Sequence, residues 1–155
     1  MNTRLNTVNS LMAKTLRVNG LGLSQNEIDD WLGIARNRYS QWENGARRFP
    51  TEVVEKLEEL IGTRDTWADE MVHAAVGYLP KSSGGFDGPL GRWSVIPAPI
   101  VELPTYVNDN EFWRARPECD GIPAGVHRSA TALAWSRLRA AGVAAVILDA
   151  TGGES

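Results

Sequence analysis

Between Gly22 and Gly45 apolar residues recur at helical spacing in two short runs, Ile28, Trp31 and Leu32 first and then Tyr39 and Trp42. Ser24 stands where a hydroxyl accepts from an orphan amide at a helix start, and Glu27, three residues on, can reach back to complete a capping box. Gly33 permits the left-handed backbone of a tight turn, and Gly45 ends the second run. The pattern predicts two short helices joined by a turn. Upstream, Val8, Leu11, Met12 and Leu16 predict a helix from about Asn6 or Thr7 to Val18, broken by Gly20 and Gly22, with those four residues as its buried face. Downstream, Pro50 and Thr51 open a helix with Val53, Val54, Leu57, Leu60 and Ile61 on one side and Glu52, Glu55, Glu58 and Glu59 on the other. A fifth helix is expected from about Asp65 to Gly77, carrying Trp67, Met71, Val72, Ala75 and Val76. Glycine, serine and proline then dominate, and residues 79–93 read as a linker or long loop. Beyond it come a strand at Ile100 to Tyr106, a short helix around Asp109 to Arg116, a longer helix from about Ala124 to Ala141, and a strand at Ala144 to Leu148.

The expected architecture is therefore mainly α. A five-helix N-terminal domain (1–78) precedes the linker (79–93) and a small α+β unit (94–155). At 155 residues, with 43% apolar content and six Trp, the chain is large enough for a well-packed core. No apolar run reaches about 18 residues, and Met1 to Gly20 is too polar for a secretory signal, which points to the cytoplasm. Cys119 is the single cysteine and cannot form an intramolecular disulfide; with only His73 and His127 besides, no spacing suits a metal, and no cofactor is expected. The two histidines are read as structural, and Trp31 and Trp42 as core residues rather than stacking platforms for single-stranded nucleic acid.

The net charge of -3 changes meaning once divided along the chain. Residues 1–48 hold seven Arg or Lys against four acids, which leaves the acidic excess to the rest. A basic head on an acidic body attracts phosphate locally while limiting nonspecific adhesion. Arg36, Asn37, Ser40 and Gln41 fall at the start and outer face of the second short helix. These are side chains that hydrogen-bond base edges, in the place where a recognition helix meets the major groove.

Gly22-Leu23-Ser24-Gln25, then Leu32-Gly33, then Trp42-Glu43-Asn44-Gly45 resemble the phage repressor and Cro-like (XRE-type) helix-turn-helix regulators over roughly residues 5 to 62. Two positions depart from that family: Asp29 replaces a small alanine, and Ala35 replaces the Ser or Thr before the recognition helix. A hydrogen bond from the Tyr39 hydroxyl to the Asp29 carboxylate would satisfy both groups. The resemblance also implies an ion pair between Arg17 and Glu43. Gln41 to Gly45, Pro50, Val53 to Leu57 and the later Tyr106, Phe112, Pro117, Asp120 and Arg128-Ser129-Ala130 further resemble the YdiL-like regulators, which include anti-CRISPR-associated repressors of phage operons, and whose C-terminal part dimerises.

On this reading Arg36 pairs with guanine, Asn37 and Gln41 read adenine, and Ser40 makes a tolerant contact. Gln25, Arg38, Asn44, Arg47 and Arg48 anchor phosphates. Trp135, Leu138 and Val146 are the candidate dimer contacts, because two heads roughly 34 Å apart are needed for an inverted repeat. The expected function is a dimeric repressor of its own or a neighbouring operon, carried by a phage or mobile element. An antitoxin whose C-terminal unit clasps a toxin is the alternative. A self-cleaving repressor is disfavoured, since the lysines are Lys14, Lys56 and Lys81 and none lies in the C-terminal unit to activate a serine. A ligand sensor would need a polar constellation that the sequence does not display. A basic helix of this kind can also engage folded RNA.

Overall fold

The computed structural model describes residues 3–78 and 100–150. Helix α1 spans Thr3–Thr15 and runs on into a π-helical turn, Leu16–Leu21; α2 is Gln25–Leu32, α3 Arg38–Glu43 and α4 Thr51–Tyr78. Strand β1 (Val101–Thr105), helix α5 (Asp109–Ala115), a 3-10 turn at Pro117–Cys119, helix α6 (Ala124–Ala140) and strand β2 (Ala145–Asp149) follow. The chain is mainly helical, with the helix-turn-helix at its N-terminal end and a two-stranded sheet at the other. The loop expected at 79–93 lies outside the described residues. No helix among the described residues is long and apolar enough to cross a membrane.

Local chemistry accounts for the element ends. Ser24 accepts from the Glu27 amide while Glu27 accepts from the Ser24 amide, so the capping box that opens α2 is complete. Asn108 caps α5 through the Glu111 amide, and the Asp109 carboxylate accepts from the Ala124 amide at the start of α6.

Two expectations about the head are corrected. The separate helices expected before and after Gly62 are one 28-residue helix, so the head is built on four α-helices and a π turn. An interior glycine costs about 1 kcal/mol relative to alanine. Packing on both sides offsets it: Val53, Val54, Leu57 and Leu60 enter the head's core, while Ala68 and Ala75 enter the core shared with α6 and the sheet. Second, α1 turns Val8, Leu11 and Met12 outward, each between 40% and 62% exposed. Its inner face is Ser10, Ala13 and Arg17, spaced three and four apart. Ser10 donates to the Trp42 carbonyl, Ala13 is fully buried, and Arg17 is held by Glu43. Hydrogen bonding to α3, not apolar content, sets the rotation of α1.

The C-terminal elements pack directly on the head. Helix α6 lies along α4, and β1 pairs with β2 in parallel, Val101 opposite Ala145 and Thr105 opposite Asp149. Trp67 on α4 touches all three apolar clusters and stacks edge-on against Phe112. Gly125 lets α6 approach Leu23, whose side chain would collide with any Cβ there. Ser129 donates to the Leu21 carbonyl, Arg137 pairs with Asp69, and Arg128 reaches both the Tyr106 carbonyl and Glu27.

His127 is buried among Trp67, Tyr106 and Phe112. Burial, with the nearby charges of Arg116 and Arg128, lowers its pKa to about 4. The unfolded chain, with a histidine near 6.5, therefore binds the extra proton first as pH falls. Stability contributed above pH 6.5 is lost progressively as pH drops toward 4, up to about 3 kcal/mol. Urea melts across that window are expected to show the loss in the wild type and a flatter profile in His127→Leu. Equal slopes for the two proteins would refute the assignment.

Candidate nucleic-acid interface

Helix α3 has six residues, fewer than two turns, so its placement depends on what holds its ends. At the C-terminal end Glu43 receives two hydrogen bonds from Arg17, Nε to Oε2 at 2.9 Å and Nη2 to Oε1 at 2.6 Å. The third guanidinium nitrogen donates to the Leu23 carbonyl at 2.8 Å, in the loop before α2. One buried arginine thus joins the π turn after α1, the entry to α2 and the exit of α3. Burial would raise the Glu43 carboxyl, but the hydrogen bonds and charge of Arg17 win and hold it below its ordinary value. Gln25 lies against the same carboxylate and adds to that effect. The pair implied by the family resemblance is therefore present.

At the N-terminal end the expected bond from Tyr39 to Asp29 is replaced by a different one. The Asp29 carboxylate accepts from two backbone amides, Asn37 N to Oδ2 and Tyr39 N to Oδ1, both at 2.9 Å. It therefore does what a Ser or Thr cap would do, from the preceding helix. The Tyr39 hydroxyl points the other way, buried beside Glu43 without a hydrogen bond of standard geometry. Its ionisation is pushed well up, by burial first and then by the Glu43 charge. The Tyr39 ring packs edge-on against Trp42 and Phe49, which confirms Trp42 as a core contact.

The expected base readers gather on the outer side of this segment. Arg36 and Asn37 are exposed in the turn and at its junction with α3; Ser40 and Gln41 are half-buried one turn on. Arg36 makes a solvent-exposed ion pair with Asp30 at 3.3 Å, of the kind worth less than about 1 kcal/mol and readily exchanged for another partner. The Ser40 hydroxyl donates to the Asn37 carbonyl, so it is engaged in the turn's own backbone. Gln41 accepts from Arg47 Nε at 2.8 Å, which brings an expected base reader and an expected phosphate anchor into one contact. Arg47, Arg48 and Asn44 are exposed in the loop after α3, Arg38 is half-buried, and Gln25 sits at the first turn of α2.

The dimer candidates divide. Leu138 is 1% exposed within the core formed with α4, so its side chain serves the intramolecular seam rather than an outward face. Trp135 packs on that core and donates its indole N–H to the Ala145 carbonyl at 2.9 Å. Val146 is exposed, as are its neighbours Ile147 and Leu148 on β2.

Residues that sequence reasoning did not select are Asp30, as the partner of Arg36, and Asp29 in its actual role. The signals for Asp29 were a carboxylate at a buried helical position, no cap at Ala35, and an asparagine at 37, a residue type that tolerates left-handed backbone.

Breaking the Arg17 and Glu43 pair from one side leaves a buried charge unpaired. Glu43→Ala is expected to cost about 3–5 kcal/mol in denaturant unfolding, while replacing both partners together by apolar residues of similar volume costs much less. Equal losses for the single and double variants would show that the pair acts through packing alone.

The family model described as Helix-turn-helix matches residues 14–67, from Lys14 in α1 to Trp67 in α4. No curated protein matches the chain.

Proposed function

We propose that this chain is a sequence-specific DNA-binding transcription regulator of the XRE type, acting as a dimeric repressor of its own or a neighbouring operon. The observation that carries the reading is the coincidence of the helix-turn-helix match with a short helix braced at both ends and edged by exposed Arg36 and Asn37. The turn before α3 and its first residues enter the major groove. Arg36 exchanges Asp30 for the O6 and N7 of guanine, and Asn37 and Gln41 read adenine edges. Ser40 supplies a tolerant contact. Gln25, Arg38, Asn44, Arg47 and Arg48 bind phosphates and set the register.

Two copies place two heads about one helical turn apart on an inverted repeat. We assign their contact to the exposed side chains of β2, Val146 with Ile147 and Leu148. Three adjacent apolar residues on a strand at the edge of a two-stranded sheet are the feature that suits a self-complementary interface.

Selection from random duplexes is expected to return an inverted repeat. Arg36→Ala should relax preference at one base in each half-site, at a cost of about 1–3 kcal/mol, whereas Arg47→Ala should weaken binding to all sequences and lower the salt slope by about 1. Weak, salt-sensitive binding with no enriched motif would reject the reading. In light scattering Val146→Asp is expected to shift the protein from dimer to monomer; a dimer that persists moves the interface elsewhere, the exposed stripe of α1 being the next place to look.

A further inference from the structure

Asp29 is 1% exposed and uses every acceptor it has on the turn between α2 and α3. Its main-chain carbonyl accepts from Gly33 and from Ile34, closing α2. Its carboxylate accepts from Asn37 and Tyr39, opening α3. One residue therefore fixes both ends of the turn, and with them the angle between the two helices. Between those ends Asn37 holds φ 67 and ψ 4, the left-handed region, and it is the only non-glycine residue with positive φ among the described residues. A non-glycine side chain pays roughly 1 kcal/mol or more to sit there and stays only where its surroundings enforce it. The Asn37 side chain makes no cap bond of its own; its carbonyl accepts from Ser40 Oγ and the Gln41 amide within α3, and its amide donates to Asp29 Oδ2, the contact that reaches it from outside α3.

We propose that Asp29 is a positioning residue for sequence reading: by holding Asn37 left-handed it sets the directions in which Arg36 and Asn37 are offered to the bases. This rests on the DNA-reading function above. Two consequences separate it from an ordinary buried carboxylate. The amides of Asn37 and Tyr39 are occupied, so α3 does not offer them to a phosphate, and affinity for the backbone must come from side chains. Disturbing Asp29 therefore alters which base is preferred more than it alters attraction to phosphate. Asp29 also never touches the DNA on this account, so its effect on preference is transmitted entirely through the backbone at residue 37.

Asp29→Asn keeps the volume, retains one acceptor oxygen and turns an NH2 toward a backbone N–H. The test compares wild type and Asp29→Asn on the site selected by the wild type and on single-base variants of it, with NMR of the amides of residues 37 and 39. The expected result is a tenfold or greater loss of discrimination at the positions assigned to Arg36 and Asn37. It should exceed any uniform loss of affinity and coincide with loss of the left-handed coupling constant at residue 37. Unchanged preference in a folded Asp29→Asn protein overturns the proposal and leaves the DNA reading intact. A wild type that selects no sequence overturns both.

Stability supplies an independent readout should Asp29→Asn fold poorly. Glycine accepts left-handed backbone without a Cβ penalty. In an Asn37→Gly background the drop in melting temperature caused by Asp29→Asn should shrink to half or less. A drop of the same size in both backgrounds would mean that Asp29 does not act by holding residue 37, and would overturn the proposal.

Discussion

A helix of six residues cannot hold itself in water, because the cost of nucleating the first turn is returned only over a much longer run. Helix α3 exists because other elements grip both its ends. Arg17 takes its last residue, Glu43, through a two-pronged contact, and Asp29 takes its first amides. Both anchors are buried, whereas Arg36 and Asn37 stand exposed. Buried ion pairs contribute less to net stability than packed apolar groups of the same size, and their best-attested use is to fix a register. Here the register fixed is that of the outward side chains. The apolar rings of Tyr39, Trp42 and Phe49 fill the space between the anchors without determining the direction of the helix.

The same logic extends through the rest of the chain. Arg17 also holds the Leu23 carbonyl, and Leu23 is the residue against which Gly125 brings α6. Ser129 grips Leu21 one step earlier, and Arg128 stands beside Glu27 of the capping box. The start of α2 is thus enclosed between the buried arginine on one side and the N-terminal half of α6 on the other. Helix α4 carries both surfaces, its first half under the N-terminal head and its second half under α6 and the sheet. The three apolar clusters meet at Trp67, so the sheet and the head share contiguous packing.

Much of this was legible in the residues, and the reasons for the gaps are physical. Local signals carried well: the Ser24 and Glu27 box, the turn at Gly33, and the placement of α5, α6 and both strands within a residue or two, since caps, turns and short periodic runs depend on near neighbours. Two helices were expected where one runs, because the apolar runs on either side of residues 62–64 face different packing partners, and those partners together keep α4 continuous. Helix α1 was rotated wrongly because periodicity marks an apolar face but not a face chosen by Ser10 and Arg17 for hydrogen bonding. Leu138 shows the converse, an apolar residue whose partner proved to lie in the same chain. Asp29 was recognised as needing a partner, and the partner proved to be backbone, which sequence pattern does not reveal.

The central claim is that DNA is read by the turn and helix held between Asp29 and Arg17. Its most direct test is an amide NMR titration of the intact protein with a duplex of its selected site, followed residue by residue. The account predicts that the largest changes fall on Arg36 to Gln41, with smaller ones at Gln25 and Asn44 to Arg48 and with Asn37 remaining left-handed throughout. Changes centred on α5, α6 or the sheet, with residues 36–41 undisturbed, would contradict it.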